Sequence, residues 1–570
     1  MRTRTACGNV VREGAIGMAD AGESGPSDGV DSIEGARDRD ASWLADAVVY
    51  EIYPQSFADA DGDGVGDLRG VIDHLDHLEW LGVDAIWLNP CFASPFRDAG
   101  YDVSDHLRIA PRYGTNDDMV ELIREARRRG IRVLLDLVAG HTSIDHPWFV
   151  ASADDPEDVR YIWSDRPGEG FVPSPGDRPG YYLKNFFPEQ PALNFGYARQ
   201  HPDEPWRQPP NAPGPLANRR ALREIIGFWL DRGAAGFRVD MAFSLVKDDG
   251  DLAETTALWR EIARWMHAEY PGAVLLPESD EGRTADAGLR GGFDADFALV
   301  IHPEHSALFN DGTTGVLPWQ AHPEPCYFSA DVDVDADDAA AALERFLGLW
   351  RHRAELVGEH RPLVLPSADH DFTRLATGPR TGRQLAVAFT FLMTWGTIPS
   401  IYYGDEIGMR NLGDAPTTEG SRWNPGYDRA GCRTPMQWDD ALPNAGFSEA
   451  DADRLYLPQD PDPDRPTVAG QRDDPGSLLH HVRELIRLRR AVPALGTAAS
   501  RTVVASGHPF AYLRGRDHLV VLNPRREPAR VRLDAFEPGS GRVLIGEGVR
   551  LDGSEVVVEG LGHAVIALDA

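Results

Sequence analysis

Lysine is almost missing from this chain. Only Lys184 and Lys247 occur in 570 residues, so nearly all positive charge is carried by arginine. Positive charge is short overall: 57 Lys and Arg stand against 90 Asp and Glu, a formal net charge of −33. Nucleic-acid and anionic-membrane partners need basic patches, so neither is expected. Cysteine is scarce too; Cys7, Cys91, Cys326 and Cys432 are scattered, with no CxxC pair. That argues against a disulfide framework and against a zinc site. No apolar run approaches the ~18 residues of a membrane span. Arg2, Arg4 and Arg12 near the N-terminus are not followed by the ~7–15 apolar residues of a signal peptide. The expected location is the cytoplasm.

What is present is the composition of an ordinary globular enzyme, 42% hydrophobic and 26% charged. The length is too great for one simple core and predicts two or three domains. Residues 1–41, rich in Gly, Ser, Asp and Glu, read as a disordered leader. From near Trp43 onward, the runs 48–57, 84–90, 132–141, 236–243, 273–279, 293–300, 362–367 and 397–404 read as buried strands. They are rich in Val, Ile, Leu and aromatics, as parallel strands covered on both faces are. Helical patterns such as 68–82, 116–130, which opens with Asn116 as its expected cap, and 218–233 fall between them. The alternation predicts an α/β fold, a (β/α)₈ TIM barrel, over 42–141 and 218–496. Residues 142–217 are far too long for a strand–helix loop and read as an inserted subdomain. A second insert covers 405–455. From about 497 to 570, short alternating runs separated by turn residues predict a C-terminal antiparallel β-sandwich.

Three strand-like runs end in a carboxylate: Asp240 in GFRVDMAF, Glu278 in AVLLPESDE and Asp371 in LPSADHDFTR. Strand ends of such a barrel converge on one face, where catalytic groups sit. Carboxylates gathered there suggest glycoside hydrolysis. Arg238, two residues before Asp240, shares its side of the strand and is expected to hold Asp240 ionised. The loop DADGDGVGD (59–67) offers oxygens from Asp59, Asp61, Asp63 and Asp67 and the Val65 carbonyl, which suits Ca²⁺ or Mg²⁺. It is not an EF-hand, since its twelfth position is Gly70.

Taken in order, DAGYDVSDH (98–106), DLVAGHTS (136–143), QPALN (190–194), GFRVD (236–240), PES (277–279), DHDFTR (369–374) and CRTPMQWD (432–439) resemble the α-amylase family, glycoside hydrolase family 13. The match runs over residues 43–570, with the oligo-1,6-glucosidase and α-glucosidase branch the most similar. The resemblance implies that Asp240 is the nucleophile, Glu278 the general acid/base and Asp371 the transition-state stabiliser. It implies that His141 and His370 hydrogen-bond a bound glucose, that Tyr101 stacks on it, and that Asp98, paired with Arg429, closes the pocket. It also implies a structural Ca²⁺ in the first strand–helix loop. The expected activity is that of a retaining, exo-acting α-glucosidase on short α-glucosides or oligosaccharides, with carboxyls roughly 5–5.5 Å apart. The expected assembly is a monomer or homodimer.

The chain departs from the family pattern at Gly140, Ala192 and Asp369. Without the asparagine usual before His141, the second calcium site of α-amylases is expected to be absent. Met241, after the nucleophile, fits neither the Val that accompanies α-1,6 preference nor the Ala or Thr of α-1,4, so linkage stays open. Two other readings remain. One is a glucosyl-transferring relative such as a trehalose synthase, sucrose isomerase or sucrose phosphorylase. The other is a non-catalytic binding subunit, whose kind loses the acids and gains a membrane span.

Overall fold

The computed structural model describes residues 40–279, 282–298, 303–309, 326–329, 336–377, 380, 382–416, 418–419, 429–533 and 541–569. Residues 1–39 of the expected leader lie outside these.

The barrel strands are β1 (Val49–Ile52), β2 (Ala85–Leu88), β3 (Arg132–Val138), β4 (Gly236–Asp240), β5 (Val274–Pro277), β6 (Asp296–Phe297), β7 (Leu363–Pro366) and β8 (Ile398–Tyr402). Their spatial order is β5-β4-β3-β2-β1-β8-β7-β6, so each lies beside its sequence neighbour. Across the last seam, Asp294 N–H donates to the Leu275 carbonyl at 3.0 Å and Ser279 bridges Ala298 in parallel. The result is a nearly closed parallel barrel, as the strand–helix alternation requires.

Side-chain alternation sorts the strands into two cores. Val49, Trp87, Leu134, Val274, Leu276, Phe297, Val364 and Ile398 cluster inside the ring. Tyr50, Ile86, Leu135, Phe237, Val239, Leu275 and Leu365 point outward to the covering helices, through residues such as Leu78, Leu122, Trp229 and Trp259. Leu44, in the 3₁₀ helix Ala41–Asp46, joins the inner cluster and plugs the N-terminal end. Two residues above the inner apolar layer, the same alternation delivers Glu51 after Val49, Asp136 after Leu134 and Glu278 after Leu276. The lower barrel is thus filled and its C-terminal mouth is charged.

Local structure corrects three expectations. The helix expected over 68–82 is two, Leu68–Asp73 and Leu75–Leu81. They part at His74, whose ring takes the Gly70 carbonyl at 2.9 Å and packs on Trp438. The helix Asn116–Arg128 is capped by Thr115, not Asn116, in a reciprocal box with Asp118. The C-terminal strands form one curled antiparallel sheet: β9 (Arg501–Ser506), β10 (Phe510–Arg514), β11 (His518–Leu522), β12 (Ala529–Arg532), β13 (Arg542–Asp552) and β14 (Glu555–Ala567). Long β14 pairs with β12 through its first half, with β11 through its second, and with β13 along its other edge. Among the described residues there is no separate facing sheet of the kind a sandwich would have.

Arg501 and Arg514 of this sheet, together with Arg489 of the preceding helix Leu478–Ala491, meet where the sheet joins the barrel. Arg489, Arg501 and Arg514 donate to the carbonyls of Met393, Trp395, Gly396 and Thr397. These carbonyls belong to the end of helix Gly382–Thr394 and the turn after it, where helical partners run out. Within 142–217, the helix Pro147–Asp154 and a small sheet of Trp163–Ser164, Phe171–Pro173 and Tyr181–Leu183 stand beside the barrel mouth. No described helix is long and apolar enough to cross a membrane.

Candidate active site

Arg238 stands at the centre of the barrel mouth, 1% exposed. Its Nη1 reaches Asp136 Oδ1 at 3.1 Å and Asp240 Oδ1 at 3.3 Å, and its Nη2 reaches Glu278 Oε2 at 3.2 Å. The register of β3 against β4 pairs Asp136 with Arg238 directly. Three carboxyls therefore share one guanidinium. Burial, then the Glu278 charge, push Asp240 well above the usual carboxylate range, and Arg238 only partly opposes them. The expectation that Arg238 lowers Asp240 is corrected for that reason: the cation is divided. Burial likewise pushes Asp136 up to about 6 against the pull of Arg238. Asp240 Oδ2 is buried with no hydrogen-bond partner. Glu278 Oε2 also accepts the Met241 N–H at 2.6 Å. Met241 has φ 42°, a left-handed backbone that is strained for a side chain of its kind.

One wall of the site is aromatic. Tyr101 donates its hydroxyl to Asp136 Oδ2 at 3.0 Å and meets His370 Nε2 at 2.8 Å. The two rings stack, with centroids 5.4 Å apart. Tyr101 thus packs one face on His370. Below them, His370 Nδ1 lies 2.7 Å from Glu51 Oε1, and Trp87 donates to Asp136. Burial pushes His370 down to about 3, aided by the nearby arginines, so its ring is neutral.

The opposite wall is ionic. Arg429 spans Asp371 and Asp98, at 2.6 Å to each. Asp371 also meets Arg433 at 2.9 Å, and Asp98 accepts from Gln190 at 2.8 Å. Burial alone would push Asp371 up, but the Arg429 and Arg433 guanidiniums outweigh it and hold the carboxyl well below its usual range, beside a His370 ring that is neutral. Asp98 N–H in turn donates to Asp102 at 3.0 Å, so Asp102 supports the loop.

The inserted segment closes a third side. His141 Nε2 meets the Tyr101 carbonyl at 3.0 Å and its Nδ1 takes Asn185 Nδ2 at 3.1 Å, so both ring nitrogens have protein partners. Lys247 donates to Asn185 Oδ1 at 2.7 Å, and burial pushes its ammonium down to about 8. Asn185 also contacts the Met241 sulfur at 3.4 Å. A side chain at Gly140 would start 3.1 Å from Ser244 Oγ and 3.2 Å from Asn185 Nδ2. The Asn185 amide therefore occupies the space that an asparagine in place of Gly140 would need.

The predicted residues Asp98, Tyr101, His141, Arg238, Asp240, Glu278, His370, Asp371 and Arg429 are all brought together around this mouth. Sequence reasoning missed Asp136, Glu51, Gln190 and Arg433. The first two were findable, because they continue the inward-facing series of β3 and β1.

In the first strand–helix loop, Asp59, Asp61 and Asp67 bring carboxylate oxygens within 4.8 Å of one another. Burial and neighbouring carboxylates push Asp61 and Asp67 up. The donor set is all hard oxygen, so the residues fit a divalent cation. Asp63 is not one of the three; its carboxylate accepts the Val65 N–H at 2.8 Å instead. The turn is tight: a Cβ at Gly64 would collide with the Arg454 carbonyl.

The alpha-amylase family, by its catalytic domain, matches residues 51–285 and 342–498. The trehalose synthase/amylase TreS of Mycobacterium tuberculosis is 33% identical over 87% of this chain and 84% of its own length. The trehalose synthase of Pimelobacter is also 33% identical, over 88% of this chain and 90% of its own. The oligo-1,6-glucosidase of Parageobacillus thermoglucosidasius is 30% identical over 84% and 90%. Among solved structures, the trehalulose synthase MutB of Pseudomonas mesoacidophila superposes with a TM-score of 0.73 at 25% identity, over 93% of this chain and all of its own. A carboxylate-lined mouth on a parallel barrel and a match spanning both halves of that barrel converge: the chain is an enzyme of the α-amylase family.

Proposed function

We propose that this enzyme is a retaining α-glucosyl transferase that isomerises a short α-glucosyl disaccharide, with hydrolysis as the side reaction. Asp240 is the nucleophile. Its free Oδ2 attacks the anomeric carbon as the glycosidic C–O bond breaks, and Glu278 gives its proton to the leaving oxygen. The glucosyl ester on Asp240 is then attacked by a different hydroxyl of the departed sugar. Glu278 takes that hydroxyl's proton, and two inversions leave the α configuration. Water in place of the sugar gives glucose.

The observation that carries the reading is the pairing of Asp240 and Glu278 on one guanidinium. Asp371, held ionised by Arg429 and Arg433, faces the positive charge that develops on the sugar ring. Asp98 and Arg429 close the far end, so one glucosyl unit fits and action is exo. Tyr101 with His370 forms the face on which the sugar lies, and His141 fixes the Tyr101 backbone. Transfer is favoured over hydrolysis by the relatives at 33% identity, which are trehalose synthases. The hydrolytic branch named by the sequence motifs follows at 30%. In the loop, Asp59, Asp61 and Asp67 would hold a structural Ca²⁺, which supplies charge balance and fixes the turn.

The test is product analysis by proton NMR with maltose, trehalose and sucrose. A new α-disaccharide in excess of free glucose supports transfer. Glucose alone would return the enzyme to the hydrolases. Equal turnover by Asp240→Asn would remove Asp240 from the mechanism.

A further inference from the structure

Glu51 completes the inward-facing series of β1, yet the proposed mechanism gives it no step. Its carboxyl is fully buried, and the structure constrains its proton. Asp371 lies 2.6 Å from Arg429 and 2.9 Å from Arg433, so it is ionised and can only accept. His370 Nε2 faces that carboxylate at 3.4 Å and the Tyr101 hydroxyl at 2.8 Å. Tyr101 directs its own proton to Asp136, so its oxygen also accepts from His370. Nε2 therefore carries hydrogen. A neutral imidazole has only one, which leaves Nδ1 a lone pair. Two groups face that lone pair, the Asn89 amide Nδ2 at 3.1 Å, which can donate to it, and, closer, Glu51 Oε1 at 2.7 Å, where an ionised oxygen would meet the lone pair head-on. An ionised carboxylate cannot donate to it; a carboxylic acid can.

The groups around Glu51 agree. Asn89 Nδ2 donates to Oε1 at 3.2 Å and can satisfy a neutral acid's oxygen. Oε2 is buried without a partner, which an ionised group would not tolerate cheaply. Burial and the nearby Asp369 and Asp371 charges all disfavour ionisation, while the opposing Arg238 is shared among three other carboxyls.

We propose that Glu51 is a positioning residue, held as a neutral carboxylic acid whose O–H to Nδ1 fixes His370 as the Nε2–H tautomer at the sugar pocket. The inference rests on the reading of that pocket as the glucosyl site. Its chemical use follows. An imidazolium at this place would pair with Asp371 and repel the positive charge growing on the sugar ring. A ring with a fixed N–H can donate to a sugar hydroxyl without adding charge.

Glu51→Gln is the discriminating variant, because its amide N–H can replace the acid's O–H. Glu51→Ala cannot. Long-range proton–nitrogen NMR of the ¹⁵N-labelled full chain, without substrate, reads the His370 tautomer; His370→Ala identifies the signal. Wild type and Glu51→Gln are expected to show neutral Nε2–H between about pH 5 and 8. Glu51→Ala is expected to show mixed tautomers and a kcat lower by about 10- to 100-fold, with KM little changed. An Nδ1–H tautomer or an imidazolium in wild type would overturn the proposal. So would a Glu51→Gln protein whose tautomer and kcat match those of Glu51→Ala. Should Glu51→Ala not fold, wild type and Glu51→Gln still decide. Because the tautomer is read without sugar, a failure of the glucosyl assignment leaves its own separate mark in the turnover assay.

Discussion

Arg429 holds Asp98 and Asp371 with the two ends of one guanidinium, each at 2.6 Å. It ties the closed end of the pocket to the acid that faces the reacting carbon. Arg429→Ala should lower kcat/KM by about 10²–10³-fold, the usual consequence of stripping a buried charge pair of its partner. Arg429→Lys should not rescue it, since an ammonium cannot span both carboxylates. Adding Asp98→Ala to Arg429→Ala should cost little more, and a double-mutant cycle would measure that coupling.

Asp240→Asn should abolish turnover by on the order of 10⁴-fold or more and should also stabilise the protein. The Asp240 carboxyl is held above its unfolded range, so the folded state loses stability as pH rises past that range and the group ionises. A neutral amide avoids this. The variant should melt higher than wild type at pH 7.5, by on the order of 1 kcal/mol. The gain should shrink as pH falls toward about 4. Calorimetry at both pH values checks the sign.

Lys247 gives the opposite slope. Burial lowers its ammonium to about 8, so the folded state binds that proton less readily than the unfolded chain. Its contribution to stability is fully present only above the unfolded value of about 10.4 and is lost as pH falls through about 8. Relative to Lys247→Met, wild type should gain stability between pH 8 and about 10. The same variant frees Asn185, which touches Met241 and His141, and should raise the share of free glucose among the products.

Removal of divalent cations should lower the melting temperature, and Ca²⁺ should restore it. Asp67→Asn is the instructive variant. Asp67 caps the helix Leu68–Asp73 by accepting the Gly70 N–H, a bond an Asn oxygen can keep. Asp67→Asn should therefore fold but need higher Ca²⁺ for the same melting temperature. Identical cation dependence in variant and wild type would remove Asp67 from the ligands.

Asp240 and Glu278 were legible because each ends a β-rich run and the barrel's strand ends share one face. Arg238 was legible by alternation from Asp240. Asp136 and Glu51 were not singled out, since an acid inside an apolar run gives no sign of which face it takes until the register is known. Counting back in twos from Asp240 and across to β3 would have found Asp136. Gln190 and Arg433 depend on how long loops pack over the mouth, and no local periodicity encodes that. The direction of Asp240's ionisation is not legible in sequence, where Arg238 stands beside one carboxylate, because folding gathers three carboxyls around that arginine.

The arginines at the edge of the C-terminal sheet give that sheet a meaning beyond decoration. Arg501 and Arg514 donate to the Trp395 and Gly396 carbonyls just past the end of helix Gly382–Thr394, and that helix leads into β8. A barrel cut off before β9 would keep every group at its mouth, and Arg489 with it, yet leave the Trp395 and Gly396 carbonyls without these donors. The catalytic half is thus unfinished on its own, and truncation there should yield a protein that fails to close its ring rather than a smaller working enzyme.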